Sequence, residues 1–197
     1  VGDEIQDQAE AARPQPPEHV LEALGGGGVH LVGGLEVEHD GAQVVVPAHH
    51  GLEALHDRFV AARTGRPTGI AEVEAIGRAY LAFSVETPHY FDACARYQAH
   101  PMGEHAADGT PCNEAACEVA GHSVHEVIVE SLNRGVADGS IRADIGDPFV
   151  TALTLWAFTH GMIQIASTKG GQIAHEGTSV QSFIEHGLDL ALRALKP

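Results

Sequence analysis

The stretch LTLWAFTHGM, Leu153 to Met162, places the chain's only tryptophan, Trp156, four residues before His160, and Gly161 follows directly. Residues four apart on a helix are stacked neighbours, so the indole and the imidazole can touch. Each ring carries an N–H that needs a partner when buried, and a neutral imidazole donates from one nitrogen and accepts at the other. Such a pair on an apolar face suits a cavity that holds one polar atom of an otherwise apolar ligand. Plain core packing is the competing reading. Gly161 costs about 1 kcal/mol against alanine in a helix interior, a cost that close approach of another helix would offset. It is turned about 100° from His160. Gly161 is therefore expected to face closely packed backbone, while Trp156 and His160 face a cavity.

The helix carrying these residues starts at Asp147-Pro148. Phe149, Leu153, Trp156, His160 and Ile163 recur along one face, and Leu155, Phe158, Met162 and Ile165 along another. A helix apolar on two sides must be covered on both. One side can meet the chain's own bundle and the other a second copy. Phe158, Gly161 and Met162 are thus expected at a homodimer interface, with Phe183 and Leu188 of the last helix. The two helices are placed at about residues 147–168 and 178–195. The first of them is expected to end at Lys169–Gly171, and Thr178 with Gln181 forms a capping box for the second.

Helical periodicity runs through most of the chain after residue 50. Leu52, Leu55, Phe59 and Ala62 share a face, and Gly65 and Pro67 end that helix. Thr68 suits an N-cap. Ile70, Val73, Gly77, Tyr80, Leu81 and Ser84 follow at helical spacing. Thr87 caps a further helix with Pro88 at its first position. Residues 99–112 read as a polar loop. Thr110-Pro111 then opens a long helix bearing Val124, Val127, Ile128 and Leu132, with Gly139 as its stop. Five or six helices result, an all-α bundle. The first 48 residues differ: Gly25–Gly28 makes a poor element interior, ARPQPPEHV reads as linker, and VHLVGGLEVEHDGAQVVV offers short β-prone runs. The chain divides into an irregular Gly-rich segment, 1–48, and a helical domain, 49–197.

Composition narrows the chemistry. Of the 197 residues, 44% are hydrophobic, enough for one core or two small ones. The formal net charge of −16 disfavours nonspecific binding to nucleic acid or membrane. No apolar run approaches the roughly 18 residues of a membrane span, and the first residues lack a secretory pattern. Three cysteines, Cys94, Cys112 and Cys117, fit no disulfide framework, and a reducing cytoplasm is the simplest setting. No phosphate loop, dinucleotide fingerprint or nucleophile elbow occurs, which argues against an enzyme and against a cofactor. His122 and His125 lie at i,i+3 with Cys112, Cys117, His100 and His105 not far away in sequence. A zinc site needs a closed set of such ligands, and no tight motif supplies one. Solvated or cavity-lining histidines are favoured, and no metal is expected. Phe83, Tyr90, Phe91 and Tyr97 are core or pocket aromatics. With Trp156, His160 and His122, the residues Phe83, Tyr90 and Phe91 are the candidate ligand contacts.

LWAFTHGMI resembles the Trp-x-x-x-His-Gly signature in the C-terminal domain of one subgroup of TetR-type transcriptional regulators. AYLAFSVETPHYFDAC is similar to the family's segment in which a helix ends before proline and an aromatic pair. GVADGSIRADIGDPFVTALTLWAFTHG is similar to its G-x-x-x-G-x-[IL]-R-x-D lead-in. The resemblance covers about residues 49–196. It implies a helical domain that binds a small effector and dimerises through its last two long helices, with a helix-turn-helix upstream. The chain departs from the family there. AHHGLEALHDRF echoes the end of the DNA-binding segment only through a histidine and LEAL. Residues 1–57 hold one basic residue, Arg13, against eleven acidic ones. Binding DNA means neutralising phosphates with lysine and arginine. A degenerate or out-of-frame segment accounts for this: shifting the frame by one nucleotide across Gln43–His49 permits Arg-Ser-Leu-Tyr-Arg-His-Ile. Operator DNA is expected as a partner only if an intact helix-turn-helix exists. The expected effector is apolar or aromatic. The alternative is a helical dimerisation or ligand-binding module with no DNA-binding activity.

Overall fold

A computed structural model describes residues 34–39, 42–96 and 113–197, with side chains described over 49–92 and 116–197. Strands β1 (Gly34–His39) and β2 (Ala42–Pro47) pair antiparallel, with Gly34 opposite Pro47 and His39 opposite Ala42. Part of the Gly-rich segment is therefore a two-stranded hairpin, built from its β-prone runs. Six helices follow: α1 (Ala48–Arg63), α2 (Gly69–Glu86), α3 (Pro88–Arg96), α4 (Asn113–Asp138), α5 (Pro148–His175) and α6 (Val180–Leu195). The described domain is an all-α bundle. Its core joins Leu55 and Phe59 of α1, Ile76, Tyr80 and Phe83 of α2, Val124, Ile128 and Leu132 of α4, and Ile163 of α5. The loop expected at 99–112 and the Thr110-Pro111 start lie outside the described residues.

Local chemistry sets most helix ends. Thr68 caps α2, its hydroxyl accepting from the Ala71 N–H. Asp147 caps α5, accepting from the N–H groups of Phe149 and Val150 at 2.8 and 3.3 Å. Gly65 and Gly139 sit at φ of 75° and 76° as stops, a conformation that costs glycine little. Thr87 turns its hydroxyl back to donate to the Phe83 carbonyl, closing α2, while its own carbonyl accepts from the Phe91 N–H as the first bond of α3, with Pro88 at the first helical position as expected. Two boundaries differ from the sequence reading. The α5 helix runs through Gly170 and Gly171 to His175 and stops at Gly177, where the Thr178 N–H donates back to the Ile173 carbonyl. With Thr178 used in that turn, Ser179 caps α6, accepting from the Ser182 N–H at 3.0 Å. Among the described residues, α5 is also the one helix long and apolar enough, by length and composition, to cross a membrane. Thr, His and Gln interrupt its apolar run, but its mean hydropathy stays high. Here it packs against α4 and α6.

One junction ties the bundle together. Gly69, the first residue of α2, lies against Gly135 of α4 so closely that a Cβ there would overlap the Gly135 nitrogen and come within 2.6 Å of the Ser131 carbonyl oxygen. The orphan N–H groups of α2 are met from the same side. Asp138 accepts from the Gly69 N–H at 2.8 Å, and the Ser140 hydroxyl from the Ile70 N–H at 3.1 Å. Hydrogen bonds from Ser140 and Gly69 hold the Asp138 carboxyl below its usual range. Arg134 pairs with the buried Glu72 and donates to the carbonyls of Arg66 and Pro67. Beyond the turn, the buried Ile141 packs on Gly135, and the Arg142 N–H donates to the Leu195 carbonyl at 2.9 Å, fastening the end of α6. The G-x-x-x-G-x-[IL]-R-x-D pattern is thus a packing joint.

Gly69→Ala should lower stability by about 1–3 kcal/mol, because backbone cannot yield to the new methyl. Gly171→Ala, at an exposed helical position with nothing near its Cβ, should raise it by about 0.4–1 kcal/mol. Thermal melts of the two variants check this, and an equal or reversed effect contradicts the joint.

Candidate ligand-binding site

Trp156 and His160 meet a third residue, Tyr80 of α2. The Trp156 Nε1–H donates to the Tyr80 hydroxyl at 3.2 Å, and that hydroxyl lies 2.8 Å from His160 Nδ1. An indole can only donate, so the Tyr80 oxygen accepts from it. Burial pushes the His160 pKa below its ordinary value, favouring the neutral ring.

Rings continue the chain on both sides. Phe91 of α3 stacks on His160 with centroids 5.0 Å apart, and Tyr80 tilts against Phe91 at 5.6 Å. Phe59 meets Tyr80 edge-on at 6.0 Å. Trp156 tilts on His160 at 5.4 Å. His125 of α4 stands edge-on to Trp156 at 5.6 Å and near Phe149 at 6.2 Å. Seven rings from five helices are therefore contiguous.

Two spaces adjoin them. A cavity of about 50 Å³ beside Tyr80 and Trp156 is closed in by Phe59, Ile76, Leu155 and Leu188, and it is too small for an aromatic molecule. An open cleft of about 890 Å³ runs between α2, α3, α5 and α6 and shares Phe91 with the ring chain. Its size lies in the range of small-molecule sites, roughly 300–1,000 Å³. Its polar groups include Ser84, Gln164, and an Arg78–Glu185 pair bonded twice at 3.0 Å.

Of the ligand contacts expected from sequence, the structure brings together Trp156, His160 and Phe91. Phe83 is fully buried, under the Arg58 guanidinium, and is core. Tyr90 is buried, and that burial raises its phenol pKa. His122 does not join them: its side chain is 63% exposed and pairs with Glu126 at 3.2 Å. Three residues along a helix is not a full turn, so His125, not His122, reaches α5. Sequence reasoning missed Tyr80, His125 and Phe149 as site members. Tyr80 sat in the apolar period of α2, and its hydroxyl, which must find a partner when buried, was the available signal.

Within one chain nothing lies within 4 Å of a Cβ at Gly161, so no helix of its own bundle makes the close contact expected there. The tight contact belongs to Gly187 of α6, where a Cβ would overlap Met162 Sδ. Met162 and Leu188 are accordingly buried inside one chain, Phe183 is half-buried, and Phe158 is 39% exposed. Among the described residues no three histidine, cysteine or acidic side chains gather as a metal site. Tyr97, His100, His105, Cys112 and the Cys94 side chain lie outside the description.

Tyr80→Phe keeps the shape of the core and removes the shared oxygen. It should cost about 1–3 kcal/mol, since the indole N–H and the imidazole nitrogen both lose a partner. The pH dependence has a definite sign. The folded pKa of His160 lies below its unfolded value, so the unfolded chain binds more protons and stability falls as pH drops below about 6.5. Urea midpoints from pH 8 to 5 should show His160→Gln losing less stability on acidification than the unmutated chain. Equal losses would contradict the burial of this ring.

Residues 73–191 match the family described as tetracyclin repressor-like, C-terminal domain. No curated protein matches the chain. Among solved structures, the fold is similar to that of a protein of unknown function from Rhodococcus sp. RHA1, with a TM-score of 0.61 and 21% identity over 76% of this chain and 71% of that one. The likeness at that identity concerns the fold. The family match spans more than half of the sequence and includes Tyr80, Phe91, His125, Trp156 and His160. The chain belongs to the tetracyclin repressor-like C-terminal domain family.

Proposed function

We propose that this chain is the small-molecule-sensing and dimerising part of a TetR-type transcriptional regulator of the Trp-His-Gly subgroup, acting in the cytoplasm and not as an enzyme. The observation that carries this reading is the Trp156–Tyr80–His160 run of hydrogen bonds set in an aromatic chain, beside a cleft sized for a small molecule. Apolar and aromatic effectors suit it, held by ring contacts and by a polar group of the ring chain. The effector acts by binding one arrangement of the dimer better than another.

The dimer reading rests on the outer faces of α5 and α6. Val150, Phe158, Ile165 and Leu190 are exposed large apolar residues there. Val150, Phe158 and Leu190 border a groove of about 470 Å³ with Thr154 and Ala191. A second copy covers this surface, and Gly161 lets it approach. Residues 1–48 form a separate N-terminal unit, a degenerate or out-of-frame counterpart of a DNA-binding segment. The one basic residue against eleven acidic ones in residues 1–57 favours a second reading of the same helices, a dimerising ligand-binding module without operator binding.

Trp156 is the only tryptophan, so its emission reports on the site. Titration with 1-naphthol should give saturable quenching, weakened about tenfold or more in His160→Ala while circular dichroism stays unchanged. Absence of saturable quenching removes the sensing assignment. Sedimentation at micromolar concentration should show a dimer that Phe158→Asp with Leu190→Asp converts to monomer. A monomer before mutation removes the dimer assignment.

A further inference from the structure

His125 holds a contradiction that the rest of the bundle does not explain. Its Nδ1 lies 2.8 Å from the carbonyl oxygen of Gly121, one turn back on α4. A carbonyl only accepts, so Nδ1 carries the proton, and Nε2 of the neutral ring is a bare acceptor. That nitrogen is buried and has no hydrogen-bond partner, alone among the buried side-chain polar atoms of the described residues. Burying an acceptor unpaired is unfavourable, and a half-buried position with no polar task would not need one. The bond to Gly121 ties one side of the ring to its own helix and turns the opposite nitrogen away from it. The ring meets Trp156 and Phe149 of α5. Phe149 is 43% exposed at the first turn of α5.

We propose that His125 Nε2 is the acceptor for a hydrogen-bond donor on the effector, so that the site selects aromatic compounds bearing a hydroxyl or N–H over their capped analogues. This rests on the sensing role proposed above and deepens it. Two imidazoles, His160 and His125, then adjoin the Trp156 indole, and His125 offers the acceptor. A site built to pair with a ligand hydroxyl discriminates strongly against the analogue lacking it, because its own buried group stays unpaired.

The test compares 1-naphthol with 1-methoxynaphthalene, which share the ring system and differ in the proton. Trp156 quenching should give a preference for 1-naphthol of about tenfold or more in the unmutated chain. His125→Phe keeps a ring of similar shape without the acceptor, and the preference should vanish while the affinity for the methoxy compound holds. His125→Gln, which restores an acceptor near the Nε2 position, should keep part of the preference and covers the case in which His125→Phe does not fold. Equal affinities in the unmutated chain, or a preference that survives His125→Phe, would overturn this inference and leave the sensing site standing. The same holds if His125→Gln keeps none of the preference when His125→Phe does not fold. Saturation by neither compound would remove both.

Discussion

The backbone contact of Gly69 with Gly135 is the constraint on which the arrangement depends. Two helices cross with no side chain between them, so α2 has one seat on α4 and no freedom to slide along it. Ridge-and-groove packing alone leaves a helix some tolerance in position. Here the start of α2 is also held by the side chains of Asp138, the last residue of α4, and Ser140, in the turn that follows it. Position and capping come from the same short stretch, and a change in either would disturb both. Arg134, paired with Glu72 of α2, also donates to the Arg66 and Pro67 carbonyls, so the loop between α1 and α2 is fixed from the same place.

That anchoring sets the site. Tyr80 stands three turns beyond Gly69 on α2, and its hydroxyl must lie within reach of both Trp156 and His160 on α5. A helix rises about 1.5 Å per residue, so a slip of one residue would break both bonds to the hydroxyl. The turn from Ser140 to Gly146 links the α4 joint to the capped start of α5 and so places the other half of the site. The residues that carry the chemistry are ordinary side chains on regular helices, and their register comes from glycines far from the rings.

Much of this was legible in the sequence because it is local. The Thr68 and Asp147 caps, Gly139 as a stop, and the shared face of Trp156 and His160 depend on a few neighbouring residues. Errors arose where neighbours competed for one role. Thr178 and Ser179 are adjacent and both can cap, and the backbone turn at Gly177 decides between them. His122 and His125 both lie on α4, and only the packing of α5 distinguishes solvent from interior. Gly187 makes the tight intrachain contact with Met162, and sequence did not single it out, because a glycine in an apolar helix signals small size without naming its neighbour. Tyr80 was read as part of an apolar stripe because no periodicity argument tells a buried ring from a buried ring with a hydrogen-bonded oxygen.

The α5 helix is 28 residues without a break, a rod of about 42 Å at the usual rise. Trp156 and His160 point from one side of it into the ring chain, while Phe158 and Ile165 stand on its uncovered side. A rod turns as one body: a roll that makes room beside the indole carries the outer side chains through the same angle. The turn from Ser140 to Gly146 before it and the Gly177 turn after it are the bearings in which such a roll would be seated.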